Sequence, residues 1–179
     1  IFIPAAKPPH KYLTETKEQA RHRLEMTKLL VNGLPEFEVS DIEFQREETS
    51  YTFVTVQEIY KKYKLTKKPS FIIGDDAFAK IETWYKTDEL KKLIDFVVLP
   101  RGCDYDKDFF DTLYKKGYNY KRLDMPKIDI SSTEIRERAA FNKSLDGLTT
   151  KEIERYIYDN HIYKNDNRCN FAKPQTRPE

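Results

Sequence analysis

The run Ser131-Ser132-Thr133-Glu134-Ile135-Arg136 sets hydroxyls and a guanidinium within little more than one helical turn. Hydroxyls and free backbone N–H groups at a helix start form an anion site. An arginine one turn further in adds a forked contact suited to phosphate oxygens. An ordinary capped helix with an exposed arginine has the same pattern, so the segment binds phosphate or simply starts a helix. A second run, Pro4-Ala5-Ala6-Lys7-Pro8-Pro9-His10-Lys11, ends in a double proline that stiffens the chain and presents His10 and Lys11 at a fixed place, unless it is a plain turn. The sole tryptophan, Trp84, precedes Tyr85 and is either core or a stacking platform. His10, His22 and His161 are scattered, and Cys103 and Cys169 have no CxxC spacing, so no protein-held metal is expected.

Composition narrows the classes. Charged residues make up 35% of the chain, yet the formal net charge is +2, and the two signs are interspersed. That leaves no footprint for duplex nucleic acid. The 12 tyrosines and 11 phenylalanines suit base stacking or, more ordinarily, a core. Lone cysteines fit a reducing compartment, so a cytoplasmic location is expected. No apolar run approaches the roughly 18 residues of a membrane span, so no membrane partner is expected. The chain opens on Ile1-Phe2-Ile3-Pro4 with no initiator Met, which reads as the end of a buried strand and hence as a fragment.

These residues need elements to hold them. Ala20, Leu24, Thr27 and Val31 recur at near-helical spacing, predicting a helix over 16–32 that Gly33 and Pro35 stop. Residues 37–44 alternate and suit a strand. Ser50 is placed to cap a helix whose inner face is Phe53, Val56, Ile59 or Tyr60, and Tyr63. Phe71-Ile72-Ile73-Gly74 and Phe96-Val97-Val98-Leu99 read as buried parallel strands, with one or two short helices over 76–93 between them. Residues 104–116 read as a helix facing inward through Phe109 and Leu113, with Phe110 as a further candidate. Ile128-Asp129-Ile130 reads as a strand running into a helix capped by Ser131 and Glu134. Thr149 and Glu152 repeat that capping spacing before a last helix carrying Ile153, Tyr156, Ile157 and Ile162. Alternating strands and helices predict an α/β fold, with a doubly wound, mainly parallel sheet and a helical C-terminal end. A single domain over 1–164 with a polar tail over 165–179 is the economical organisation. In such sheets ligands sit at the carboxyl ends of strands. Three such ends matter here, after Ile3, Ile73 and Ile130.

Taken in order, the segments resemble the bacterial nicotinate mononucleotide adenylyltransferases of the HxGH nucleotidyltransferase superfamily, a Rossmann-like fold. The 130–136 run is similar to the superfamily's ISSTxIR motif, which cradles the triphosphate of ATP or CTP. Pro4 to Lys11 resembles the family's P-x-x-x-P-P-H-[KR] loop, and Ser50-Tyr51-Thr52 its SYT triplet. Gly74-Asp75-Asp76 with Trp84-Tyr85 resembles its G-x-D and W-[YK] segment. His22-Arg23-Leu24-Glu25-Met26 and the closing helix over 150–163 agree as well. Two departures stand out. The Gly-rich HxGH segment is not in the chain, so the first β-α unit is expected to be missing and the piece alone inactive. Pro100-Arg101-Gly102 replaces the usual R-P-G, which leaves the adenine-side contacts open.

The resemblance implies transfer of AMP from ATP to nicotinate mononucleotide, forming deamido-NAD and pyrophosphate, with Mg²⁺ accompanying ATP. By the same resemblance His10, Lys11 and Arg136 serve the phosphates as catalytic groups, and Ser131, Ser132 and Thr133 form the helix-start cradle. Asp76 and Arg101 serve the ATP side, while Thr52, Trp84 and the Tyr85 backbone hold the pyridine acid. Two alternatives remain open: another adenylyl- or cytidylyltransferase of the superfamily, for instance one acting on phosphopantetheine, and a non-catalytic nucleotide-binding module.

Overall fold

Ser70–Gly74 and Asp95–Leu99 form β1 and β2, because each carries a short β-branched and aromatic run closed by a Gly or a Pro. In the computed structural model, which describes residues 1–9, 16–102 and 106–164, they pair in parallel with Phe71 opposite Phe96 and Ile73 opposite Val98. A third parallel strand, β3 (Tyr120–Arg122), pairs with β2 and gives the order β1-β2-β3. Only Tyr120 of its three residues is apolar, which is why the hydrophobic pattern does not reveal it.

In chain order the helices are α1 (Lys17–Val31), α2 (Thr52–Tyr63), α3 (Asp75–Phe78), α4 (Thr87–Leu93), α5 (Lys107–Lys115), α6 (Ser132–Ala140) and α7 (Lys151–Asp159). Short 3-10 turns occupy Ile42–Gln45 and Ile81–Thr83. The parallel strands and connecting helices give the expected α/β architecture. Chain contacts group it into two compact units, Ile1–His22 with Val39–Asp129, and Arg23–Glu38 with the chain from Ile130 onward.

The first unit is centred on Phe78, which is fully buried and packs on Phe96, Phe110 and Tyr120 at ring separations of 5.1, 6.0 and 5.4 Å. Phe110 and Leu113, one turn apart on α5, complete this core, while Phe109 only flanks it. Full burial of such side chains stabilises by about 1.5–3 kcal/mol each. The second unit buries Ala139, Leu145, Ile153, Ile157 and Ile162 together.

Several expectations are corrected. Residues 37–44 do not form a strand: Val39 makes one parallel bridge to Phe2, and the chain then turns so that the Phe44 N–H donates to the Asp41 carbonyl at 2.8 Å. The cause is a change of phase, since Phe37 and Val39 alternate in one register and Ile42 and Phe44 in the other. Ile128 to Ile130 carries no ladder, and both isoleucines are exposed. The boundary between the compact units falls within this segment, which acts as a connection. Ser50 does not cap α2, and the last helix is capped by Thr150, not Thr149, its hydroxyl accepting from the Ile153 N–H at 3.3 Å. The 165–179 tail lies outside the described residues. Among the described residues no helix is long and apolar enough to cross a membrane.

Candidate active site

At the carboxyl end of β1 the chain passes from Gly74 straight into the acidic start of α3. A Cβ on Gly74 would stand 2.5 Å from both the Arg101 Cδ and an Asp76 carboxylate oxygen. Any larger residue would require the Arg101 or Asp76 side chain to move. The structure thus brings Asp76 and Arg101, both expected on the ATP side, together at a strand end. Asp75, between Gly74 and Asp76 in sequence, is buried and accepts the Arg101 N–H at 2.9 Å through Oδ1. Its Oδ2 has no hydrogen bond and lies 3.8 Å from the Arg122 guanidinium.

A cleft of about 630 Å³ opens beside this strand end, within the size range of small-molecule sites. One wall is Ser50, Tyr51 and Thr52 at the start of α2, with Pro9 from the double-proline loop. Asp76, Ala77 and Lys80 line it from the segment after β1, as do Thr83, Trp84 and Tyr85. All four predicted residues of this region, Thr52, Asp76, Trp84 and Tyr85, therefore share one cleft. Trp84 is half-buried and meets Phe71 edge-on at 6.0 Å, so it belongs to the core packing and to the cleft wall at once. The Tyr85 ring stacks on Tyr51 at 4.5 Å and ties the two walls together.

The start of α2 has a further property. Tyr51 occupies its N-cap position in extended conformation, and no side chain caps the helix. Helix geometry leaves the first-turn N–H groups without intrahelical partners. Their partial positive charge, with the Thr52 hydroxyl beside them, favours a negatively charged ligand group in the cleft. Ser50 is occupied elsewhere: its Oγ accepts the Lys7 N–H at 2.9 Å, and its own N–H donates to the Lys7 carbonyl at 2.9 Å.

The other phosphate candidates divide. Ser131 caps α6, its hydroxyl accepting the Glu134 N–H at 3.1 Å, and Ser132 and Thr133 open the helix as expected. Arg136 is turned toward its own helix start, with Nη2 donating to the Thr133 hydroxyl at 3.2 Å. These residues belong to the second compact unit. His10 and Lys11 lie outside the described residues.

A family model described as cytidylyltransferase-like matches residues 1–138. A protein of Thermoanaerobacter sp. (strain X514) named "Probable nicotinate-nucleotide adenylyltransferase" is 38% identical over 170 residues, covering 93% of this chain and 80% of its own. The nicotinate-nucleotide adenylyltransferase of Bacillus subtilis (strain 168) is 34% identical over 163 residues, with 91% and 81% covered. The chain belongs to the nicotinate-nucleotide adenylyltransferase family. The fold agrees: a solved structure of Plasmodium falciparum nicotinic acid mononucleotide adenylyltransferase, complexed with NaAD, matches with a TM-score of 0.70 at 20% identity, covering 90% of this chain and 80% of that one.

Within this family member, the sequence reading overlooked Asp75, Lys80 and the anchoring role of Ser50. Asp75 carried a usable signal, since an acidic residue ending a buried parallel strand must find partners or ionise at great cost. Lys80 carried none, because an isolated lysine that belongs to no motif looks like any solvated surface residue.

Proposed function

We propose that the chain transfers the AMP moiety of ATP to nicotinate mononucleotide, yielding deamido-NAD and pyrophosphate, a step of NAD biosynthesis. The observation that carries this reading is the cleft itself. An uncapped helix start with a hydroxyl faces a space walled by the chain's only tryptophan, in a family named for this activity. A flat pyridine ring bearing a carboxylate suits both features.

In the reaction the mononucleotide's phosphate oxygen attacks the α-phosphorus of ATP. The new O–Pα bond forms as the Pα–O–Pβ bond breaks, and pyrophosphate leaves with the bonding pair. No covalent protein intermediate is needed, so the protein's part is alignment and stabilisation of charge. Thr52, Trp84 and the Tyr85 backbone hold the pyridine acid. Asp76 and Arg101 bind ATP, whereas Ser131, Ser132, Thr133 and Arg136 cradle its phosphates, with His10 and Lys11 acting on phosphates as well. Among the described residues no three metal-ligating side chains converge. A Mg²⁺ entering with ATP would supply charge neutralisation at the phosphates. The reaction needs neither nucleic acid nor membrane, and we place it in the cytoplasm.

The test is direct. The purified intact protein is incubated with ATP, Mg²⁺ and nicotinate mononucleotide, with phosphopantetheine as the control acceptor, and products are resolved by mass spectrometry. Deamido-NAD and pyrophosphate in equal amounts are expected. Adenylylation of phosphopantetheine in preference to the mononucleotide would overturn the substrate assignment.

A further inference from the structure

Glu43 and Arg46 are charged residues of the first compact unit whose side chains are about nine-tenths buried, and neither belongs to the machinery described so far. Glu43 Oε1 accepts from the Thr55 hydroxyl at 2.5 Å, and that hydroxyl accepts from Arg46 Nη2 at 2.6 Å. The Arg46 guanidinium also pairs with Glu58, and it stands 3.7 Å from Glu43. Burying such a cluster costs desolvation, and well-packed apolar residues would stabilise a fold at least as well. Its arrangement has another consequence. The second Glu43 oxygen, Oε2, accepts the backbone N–H of Ala6 at 3.3 Å, across 37 positions of sequence.

The next residue is held too. Lys7 exchanges two backbone-directed hydrogen bonds with Ser50, both at 2.9 Å, and its ammonium donates to the Glu47 carbonyl at 2.5 Å. Successive N–H groups of the loop are therefore fixed to a buried carboxylate and to a hydroxyl beside the start of α2. Two residues further on stands Pro9, which lines the cleft. Thr55, the hub of the cluster, lies in the first turn of α2, whose first residue is Thr52.

We propose that Glu43 and Ser50 are positioning residues for substrate binding: they fix the loop ending in Pro9 against the start of α2 and so set the width of the slot that takes the pyridine ring. The inference rests on the substrate reading given above. Prolines 8 and 9 make the chain between the anchor and the cleft stiff, so displacement at Ala6 and Lys7 passes to Pro9 undamped. Neither residue touches the reacting atoms.

Steady-state rates of the intact protein, with nicotinate mononucleotide and ATP varied separately, test this in Ser50→Ala, Glu43→Ala and Glu43→Gln. Loss of a hydrogen bond at the anchor is expected to raise the KM for the mononucleotide about fivefold or more in the two alanine variants, with the KM for ATP within about twofold. Glu43→Gln keeps an oxygen for Ala6 and an amide for Thr55, so it is expected to stay near wild type. Circular dichroism and thermal melting establish folding. If Glu43→Ala does not fold, Ser50→Ala decides alone. A folded Ser50→Ala with an unchanged KM for the mononucleotide would overturn the proposal, as would an equal rise for both substrates. A wild-type protein that makes no deamido-NAD sinks the substrate reading and this inference together, whereas normal turnover with unshifted variants sinks only the inference.

Discussion

Replacing Thr52 by valine removes one hydroxyl from the cleft and leaves nearly everything else in place. Valine has the same branched shape, and α2 retains its start because the Thr55 N–H still donates to the Tyr51 carbonyl at 3.1 Å. Nicotinate and nicotinamide mononucleotides differ only in a carboxylate against a carboxamide, so stacking on Trp84 treats them alike. The uncapped N–H groups and the hydroxyl do not. A hydrogen bond to a charged acceptor contributes about 1.5–3 kcal/mol and one to a neutral acceptor about 0.5–1.5 kcal/mol. Their difference, about 1–1.5 kcal/mol, corresponds to a fivefold to tenfold loss of discrimination. The wild-type protein is expected to prefer the acid by at least about tenfold in kcat/KM. Thr52→Val is expected to lower that ratio without abolishing it, since the helix-start N–H groups remain. Competing both mononucleotides in one reaction and quantifying deamido-NAD and NAD measures the ratio without separate KM values. A ratio within twofold of wild type would refute the role given to the hydroxyl, and equal use of both substrates would refute the helix-start reading altogether.

Three other outcomes are expected. Trp84→Ala should weaken both mononucleotides about equally and also lower the melting temperature, because the indole packs edge-on against Phe71; a change confined to one substrate would show that the ring does more than stack. Arg136→Ala should raise the KM for ATP and lower kcat, a loss on the order of 2–4 kcal/mol in transition-state stabilisation; kcat/KM within threefold of wild type would remove the arginine from the phosphate site. Tyr120, Tyr156 and Tyr158 are held above the ordinary phenol range, chiefly by burial. Below about pH 10 these phenols are neutral in both folded and unfolded chains and leave stability unchanged. Above it the unfolded chain loses protons first, so stability should fall with rising pH through the higher folded values. A melting temperature that stays constant from pH 9 to 11 would contradict this.

What could be read in the sequence follows the range of the interactions concerned. Strands β1 and β2 and helices α1, α2, α5, α6 and α7 announce themselves through periodicity and caps within a few residues. The Ser131–Glu134 cap was legible for that reason, and so was the proximity of Thr52, Asp76, Trp84 and Tyr85, through the ordered family motifs. The short strand β3 was not, because Tyr120, which packs on Phe78 and Phe110, is followed by the polar Lys121 and Arg122 and so shows no apolar alternation. Its place is set by pairing with Phe96 to Val98, residues that carry their own signal but do not name their partner.

The cleft's support illustrates the same limit more sharply. Ser50 looked like a cap because a serine before a helix usually is one. The alternative partner, the Lys7 N–H, lies 43 positions away, and every non-proline residue offers the same donor. Glu43 is hidden for the same reason, since its acceptor role is completed by another backbone amide, that of Ala6. Side chains that touch a ligand must have a particular chemistry, so their types survive as motifs. Groups that hold a loop through its backbone leave on that loop no mark of residue type, and only the stiff Pro8-Pro9 pair betrays that something there must be kept in place. Of the residues that share the cleft, Thr52, Asp76, Trp84 and Tyr85 were therefore readable, whereas Lys80, which belongs to no motif, and the anchors Glu43 and Ser50 were not.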